Sequence, residues 1–132
     1  MEVTAQYVGN KRVEARCGRT GTELIFDQPA PEGLGESLNP VEGLLSALCG
    51  CMLTTAAYAA GSLGLDPEGA SAAVTCEMAD GPRIASITAV VSIPAGCCPA
   101  EKRGLIEKMV TSCPVSRALS PDIRRDVRFL WI

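Results

Sequence analysis

The sequence contains no histidine among its 132 residues. A Ser-His-Asp or Cys-His catalytic system therefore cannot be built from this chain, and neither can a metal site with imidazole ligands. A thiol that acts as a nucleophile must instead be activated by arginine, lysine, a network organised by carboxylates or the N-terminus of a helix.

The sequence also lacks a basic excess and a recognisable signal peptide. Its formal net charge is -3, and its lysines and arginines are scattered, so we expect no nucleic-acid partner. The N-terminus has neither a basic segment nor an apolar one, which predicts a cytoplasmic protein with reduced thiols. Seven cysteines at irregular spacings do not form the disulfide pattern of a small secreted domain. They remain candidates for core packing, metal binding or redox chemistry.

The residue pattern predicts one α+β domain over residues 1-132. We expect an N-terminal antiparallel meander, a long central buried helix, and a second antiparallel sheet with an amphipathic helix. The three strands of the meander are assigned to residues 2-8, 11-17 and 22-28, and the long helix to residues 40 through 61 or 63. Two further strands are assigned to 71-79 and 83-93. Helices follow at 99-112 and 114-119, and a last strand at 123-132.

The long helix is uncharged from residue 43 to residue 65. Its length would suffice for a membrane span. However, it is rich in Ala, Gly, Ser and Thr, which insert poorly, so we interpret it as a core helix without a membrane role. Such a helix is about 30 Å long, whereas a domain of this size has a radius of gyration of about 14 Å. The remaining elements can hardly cover it, which predicts a homodimer.

Four cysteines lie at positions that matter chemically. Cys49 and Cys51 are about 200° apart around a helix, so they cannot clamp one metal ion, and each is by default a packing residue. Cys98 and Cys113 each precede a proline and occupy predicted N-cap positions, where the helix dipole lowers a thiol pKa. Arg117 is placed to reinforce this effect at Cys113. The residues alone do not choose between these two thiols.

Two segments, "NPVEGLLSALCGCM" and, some sixty residues later, "CPVSRAL", together resemble the osmotically inducible protein C and organic hydroperoxide resistance (OsmC/Ohr) family. That family has an Asn-Pro pair, a long helix whose cysteine lies eleven residues after the proline, and a later Cys-Pro-x-Ser motif. The spacing from Pro40 assigns the first family cysteine to Cys51. The second motif assigns the other to Cys113.

The resemblance implies an intertwined α+β homodimer with its active sites at the subunit interface. It implies reduction of organic hydroperoxides without a metal, flavin or other cofactor. In that chemistry Cys51 would be the peroxidatic thiolate and would become a sulfenic acid. Cys113 would resolve it as a disulfide, and a dithiol such as a lipoylated protein would reduce the disulfide.

The family also places an arginine of the first hairpin against the reactive thiol, with a glutamate directly after the motif's proline to orient it. In this chain Arg12 is the candidate, with Lys11 and Arg16 as alternatives. Val41 occupies the glutamate position, and the carboxylate is one place later, at Glu42. Glu42 is therefore a candidate catalytic residue and equally a predicted capping-box residue.

Two other interpretations remain open at this stage. The chain could be a thiol-rich binding or redox-buffering protein on the same fold, since Cys49, Cys97 and Cys98 are additional thiols. Cys97 and Cys98 could bind a soft metal with a third thiol, although adjacent cysteines suit a tetrahedral site poorly. Cys17 and Cys76 lie in predicted strands and are expected to be packing residues.

Overall fold

The computed structural model describes residues 1-132 and contains two three-stranded sheets and three α-helices. The chain forms two compact units, Met1-Leu44 and Leu45-Ile132. We number the strands β1 (Val3-Gly9), β2 (Arg12-Cys17), β3 (Glu23-Phe26), β4 (Ser71-Ala79), β5 (Arg83-Ile93) and β6 (Arg124-Trp131), and the helices α1 (Pro40-Gly61), α2 (Arg103-Thr111) and α3 (Pro114-Ala118).

The first unit contains the predicted antiparallel meander, in the order β1-β2-β3. Gly9, Asn10 and Lys11 have φ angles of 93°, 53° and 60° at the first reversal. Glycine and asparagine enter this left-handed region more readily than other residues, which explains why the chain turns at "GN". The meander prediction is confirmed, with strand ends within two residues of those expected.

A buried carboxylate orders the loop that follows β3. Asp27 is only 1% exposed, and its oxygens accept the backbone N-H groups of Gln28 at 2.8 Å, Leu34 at 3.3 Å and Glu36 at 3.1 Å. A Cβ on Gly33 would lie 2.5 Å from Asp27 Oδ1, so this position requires glycine. One side chain thus supplies acceptors for backbone donors of a Pro/Gly-rich segment that has no sheet to join.

The predicted capping box starts α1. The side chain of Asn39 accepts the N-H of Glu42 at 2.8 Å, and the Glu42 carboxylate accepts the N-H of Asn39 at 2.8 Å. Pro40 is the first helical residue, where its missing N-H has no cost. After Gly61 the chain reverses through Gly64, whose φ is 73°, and Leu65 N-H bonds back to the carbonyl of Ala60.

The expected long helix α1 is present but only partly buried in the single chain, which agrees with the expectation that the remaining elements can hardly cover it. By length and composition α1 could cross a membrane, as many core helices could, yet only 28% of its most apolar stretch is buried. The second unit has one sheet, which covers one face of a helix. The buried face is formed by Leu48, Met52, Ala56, Ala59 and Ala60. The exposed residues within the second unit are uncharged and mostly small: Ser46, Ala47, Gly50, Thr54, Ala57, Tyr58 and Gly61.

The second sheet has the order β4-β5-β6 and is mixed, so the prediction of a second antiparallel sheet is wrong. Strands β4 and β5 form an antiparallel hairpin, whereas β6 pairs parallel with β5, from Ser86 opposite Arg124 to Ile93 opposite Trp131. Between β5 and β6 the chain passes through α2, α3 and two short 3-10 turns. A connection of this length permits parallel pairing, which a tight turn does not.

The core of the second unit lies between α1, β5 and α2. It is built of medium and small apolar side chains, which allow close approach of helix and sheet. Two cysteines from the segments around α2 and α3 are part of it. Its fully buried members are Leu48, Met52, Ala56, Ala59, Ala60, Ile87, Ala89, Val91, Ile93, Cys98, Ile106, Val110 and Cys113.

We predict that Gly43→Ala destabilises the protein although alanine is the better helix former. A Cβ on Gly43 would lie 2.5 Å from Cε1 of Phe26 in the first unit. We expect the free energy of unfolding to fall by about 1-3 kcal/mol, as for overpacking elsewhere. Chemical denaturation measures the change.

Gly104→Ala is the matched control because Gly104 also lies in the first turn of a helix and a Cβ there meets no atom within 4 Å. This variant should be unchanged or more stable by up to about 1 kcal/mol. Equal effects of the two substitutions would contradict the packing argument.

Candidate active site

The structure brings together the thiols of Cys51 and Cys113. Cys51 lies in the middle of α1, and Cys113 is the N-cap residue of α3. Hydrogen bonding links the Cys113 thiol to Cys51. The backbone N-H of Val115, in the first turn of α3, also donates to Cys51 Sγ at 3.5 Å. Two donors from the start of α3 therefore face the sulfur of Cys51.

The two thiols of this pair differ in environment. Cys113 is 1% exposed, and burial raises the pKa of its thiol; the Ser116 backbone N-H acts in the opposite direction, and hydrogen bonding to Cys51 raises the pKa further. Cys51 is half-buried and accepts from its neighbours. The arrangement suits a reaction in which Cys51 reacts first and Cys113 second.

Cys49 points away from this pair, as helix geometry predicts. Its thiol donates to the carbonyl of Ala72 in β4 at 3.8 Å, and burial raises the pKa of the thiol. The two cysteines of "CGC" therefore contact different elements.

No group of three His, Cys, Asp or Glu side chains is placed to hold a metal ion, so no third ligand joins Cys97 and Cys98.

Arg12 lies in β2, in the first unit, between two carboxylates. Its Nη1 is 3.7 Å from Asp27 Oδ2 and 3.4 Å from Glu36 Oε2. The N-H of Glu36 holds the pKa of Asp27 below its usual range; burial opposes this, and the charge of Arg12 contributes to it. Sequence reasoning missed both partners of Arg12. The signal that could have found Asp27 is its position directly before the segment "QPAPEGLG", where an aspartate often bonds to backbone N-H groups.

The Glu42 carboxylate accepts the N-H of Asn39, so the predicted capping-box role of Glu42 is confirmed. Its catalytic role stays a prediction. Lys11, an alternative to Arg12, lies in the turn between β1 and β2 with a positive φ. Arg16, the other alternative, lies in β2, where its guanidinium is near Gly21.

Of the two thiols predicted at N-cap positions, only one is found at such a position. Cys113 does precede the first residue of α3, as expected. Cys98 does not cap α2, because a separate 3-10 turn, Ala100-Lys102, comes first and α2 begins only at Arg103. Cys98 is instead buried in the core at 1% exposure. Arg117 is exposed, and its effect on Cys113 stays a prediction; Arg125 of β6 contacts α3 at Ser116.

Cys17 is not the packing residue that its strand position predicts. It ends β2 at the turn "CGRTG", outside the hydrophobic core. A hydrogen bond from the Thr20 hydroxyl lowers the pKa of the Cys17 thiol, and the backbone N-H groups of Thr20 and Arg19 lower it further. Cys76, by contrast, packs against the core from β4, as expected.

The sequence model of the family described as OsmC-like protein matches residues 33-128 of this chain. The chain belongs to the OsmC-like family. The matched residues include both segments that carry the thiol pair, around Cys51 and Cys113. No curated protein sequence matches the chain at a significant level.

Solved structures agree with this membership. A Psychrobacter arcticus protein of the osmotic stress and detoxification response is 27% identical, with a TM-score of 0.88 over 96% of this chain and 93% of that one. The organic hydroperoxide resistance protein OsmC of Legionella pneumophila is 16% identical, with a TM-score of 0.75 over 98% and 95%. OhrB of Bacillus subtilis, an organic hydroperoxide resistance protein, is 20% identical, with a TM-score of 0.67 over 97% and 96%. The last two show likeness of fold alone.

We predict that Cys17 is the fastest thiol to react with iodoacetamide in the reduced protein at neutral pH, and that Cys113 is among the slowest. The reason is that the thiolate reacts, and the surroundings lower the pKa of Cys17 and raise that of Cys113. Mass spectrometry of timed digests gives the rate for each cysteine.

Thr20→Val removes the hydroxyl donor and should slow Cys17 several-fold. Thr4→Val, an exposed substitution in the same sheet, should leave the rate unchanged. The interpretation fails if both variants react like the parent chain, or if Cys113 reacts as fast as Cys17.

Proposed function

We propose that this protein is a cysteine-based peroxidase that reduces organic hydroperoxides with Cys51 as the reacting thiolate and Cys113 as the resolving thiol. The observation that carries the proposal is the direct interaction of these two thiols, with the Val115 N-H as a further donor to Cys51 Sγ. Membership of the OsmC-like family and the names of the hydroperoxide resistance proteins with the same fold support it.

The chemistry balances without a further oxidant. The Cys51 thiolate attacks the outer oxygen of the hydroperoxide, the O-O bond breaks, and the alkoxide takes a proton and leaves as an alcohol. Cys51 is then a sulfenic acid. The sulfur of Cys113 attacks the sulfur of Cys51, water leaves, and a disulfide forms. A dithiol reductant then exchanges with this disulfide and is itself oxidised to a disulfide.

We include Arg12 and Glu42 in the proposal as supporting residues. Arg12 is proposed to supply the positive charge that favours the thiolate. Its guanidinium is held by Asp27 and Glu36, so its position is restrained by carboxylates other than Glu42. Glu42, in the first turn of α1, is proposed as a further catalytic residue. We place the protein in the cytoplasm and propose a lipoylated protein as its dithiol partner.

We expect that one equivalent of cumene hydroperoxide converts Cys51 and Cys113 of the reduced protein to a disulfide, seen as a linked peptide pair by mass spectrometry. Cys51→Ser should abolish peroxide consumption with dihydrolipoamide as reductant. Cys113→Ser should still react and should leave a sulfenic acid that dimedone traps. Cys49→Ser is the control and should retain activity, because Cys49 bonds to β4 instead.

The same assay tests the supporting residues. Arg12→Ala should lower kcat/KM more than tenfold, because losing a charge-assisted interaction of about 1.5-3 kcal/mol corresponds to that factor or more. Arg16→Ala is its control in the same strand. If the peroxide persists while Cys51 stays open to alkylation, the protein is a redox buffer or thiol-rich binding protein and the peroxidase proposal is wrong.

We further propose that the protein acts as a homodimer. The support is an exposed stripe of α1, formed by its seven exposed uncharged residues between Ser46 and Gly61, on a helix that is buried on its other face. A stripe of small side chains lets a second helix approach closely, and solvent exposure of an uncharged helical face of this length is unusual in a monomer.

Sedimentation equilibrium tests the dimer. We expect twice the mass of the 13.8 kDa chain. Ala57→Arg, which puts a charge in the stripe, should shift the protein towards the monomer. Ala100→Arg, an exposed substitution outside α1, should not. A single-chain mass for the parent protein would rule the homodimer out.

A further inference from the structure

The reacting pair depends on α3, which is a helix of only five residues. A helix this short is not stable alone in water, because one turn fixes many backbone angles for few hydrogen bonds. Yet its first residues supply both groups that face Cys51, namely the Cys113 thiol and the Val115 N-H. Whatever holds α3 in place therefore sets the geometry of the pair.

Arg125, the second residue of β6, makes that connection. Its Nη1 donates to the carbonyl and the hydroxyl of Ser116, the latter at 3.1 Å. Its Nη2 donates to the carbonyl of Leu119 at 3.2 Å and to that of Ser120 at 3.1 Å. One guanidinium thus binds four oxygen atoms of α3 and the residues after it.

The chemistry of these acceptors matches a guanidinium closely. The carbonyls at the end of a helix have no partner within the helix, and a cation is favourable there. Ser116 is 2% exposed, so without Arg125 its polar atoms would be buried with fewer partners. No carboxylate lies within ion-pair distance of Arg125, so the side chain is committed to α3.

We propose that Arg125 is a positioning residue for the resolving step. It clamps the segment from Cys113 to Ser120 to β6, and β6 is in turn paired with the core strand β5. The clamp holds Cys113 against Cys51. This inference rests on the proposed peroxidase function and adds to it the residue that keeps the second thiol in reach of the first.

The test is single-turnover kinetics of the full chain with cumene hydroperoxide. Arg125→Gln keeps a polar side chain but cannot form the four bonds. We expect disulfide formation between Cys51 and Cys113 to slow more than tenfold, with longer survival of a sulfenic acid that dimedone traps. Formation of that sulfenic acid should change less, by under threefold. Loss of stability alone would not separate the two rates.

Two further variants make the result specific. Arg128→Gln lies in the same strand, where Arg128 pairs with Asp126, and should leave both rates unchanged. Arg125→Lys keeps the charge but not the forked N-H donors of the guanidinium. Its rate of disulfide formation should lie between those of Arg125→Gln and the parent protein. Arg125→Lys is also the variant to use if Arg125→Gln does not fold. A folded Arg125 variant that forms the disulfide at the parent rate, or that slows both steps equally, overturns the inference.

The outcomes separate this inference from the function on which it rests. If the parent protein does not react with peroxide, the proposed function is wrong. Diamide, which oxidises two neighbouring thiols to a disulfide, then measures positioning without peroxide. In that assay the Arg125→Gln variant should form the Cys51-Cys113 disulfide more than tenfold more slowly than the parent. Equal rates would overturn the positioning role.

Discussion

The interaction on which the site depends is the contact of Cys51 with the start of α3. A thiol in the middle of a mostly apolar helix has few polar neighbours of its own, and here it obtains them from residues 64 positions away in sequence. Cys113 and the Val115 N-H reach it only because α3 lies against α1. The long helix provides the reacting atom, and the short helix provides its surroundings.

The composition of α1 determines where the rest of the second unit can pack. Ala56, Ala59 and Ala60 are fully buried, and such small side chains allow the helix to lie close to β5. A half-turn away, the helix carries further small residues that nothing in the second unit covers. Cys49 and Cys51 lie on different faces of α1. Oxidation of one therefore does not directly engage the other, although only Gly50 separates them.

Much of the fold was predictable from sequence because its signals are local. The capping box of Asn39 and Glu42, the turn at "GN", and the alternating residues of β5 each specify structure over a few positions. The parallel pairing of β6 was not predictable in this way, because strand direction depends on the path of the connection. The length of α1 indicated that one chain could not cover all of it, but the sequence did not show which face is exposed, because the residues are uncharged on every side.

The site itself was only partly accessible to sequence reasoning. Helix geometry separated Cys49 from Cys51 correctly, but choosing Cys51 and Cys113 required the family motifs. Asp27 and Arg125 were both missed because they act on backbone groups: for Asp27 the Pro/Gly-rich segment that follows is a sequence signal, whereas for Arg125 the sequence carries no signal. Cys17 was misjudged because a strand position says nothing about the Thr20 hydroxyl in the turn that follows.

The topology of the second unit has a consequence for the life of the newly made chain. Cys51 meets α3 only after a loop of some sixty residues has closed, and contacts of such separation carry a large entropic cost before they form. Before that closure Cys51 and Cys113 are ordinary, separate thiols. The two thiols therefore become a reacting pair only when the tertiary structure forms. In a chain whose second unit is incomplete, the surroundings of Cys51 do not differ from those of Cys49.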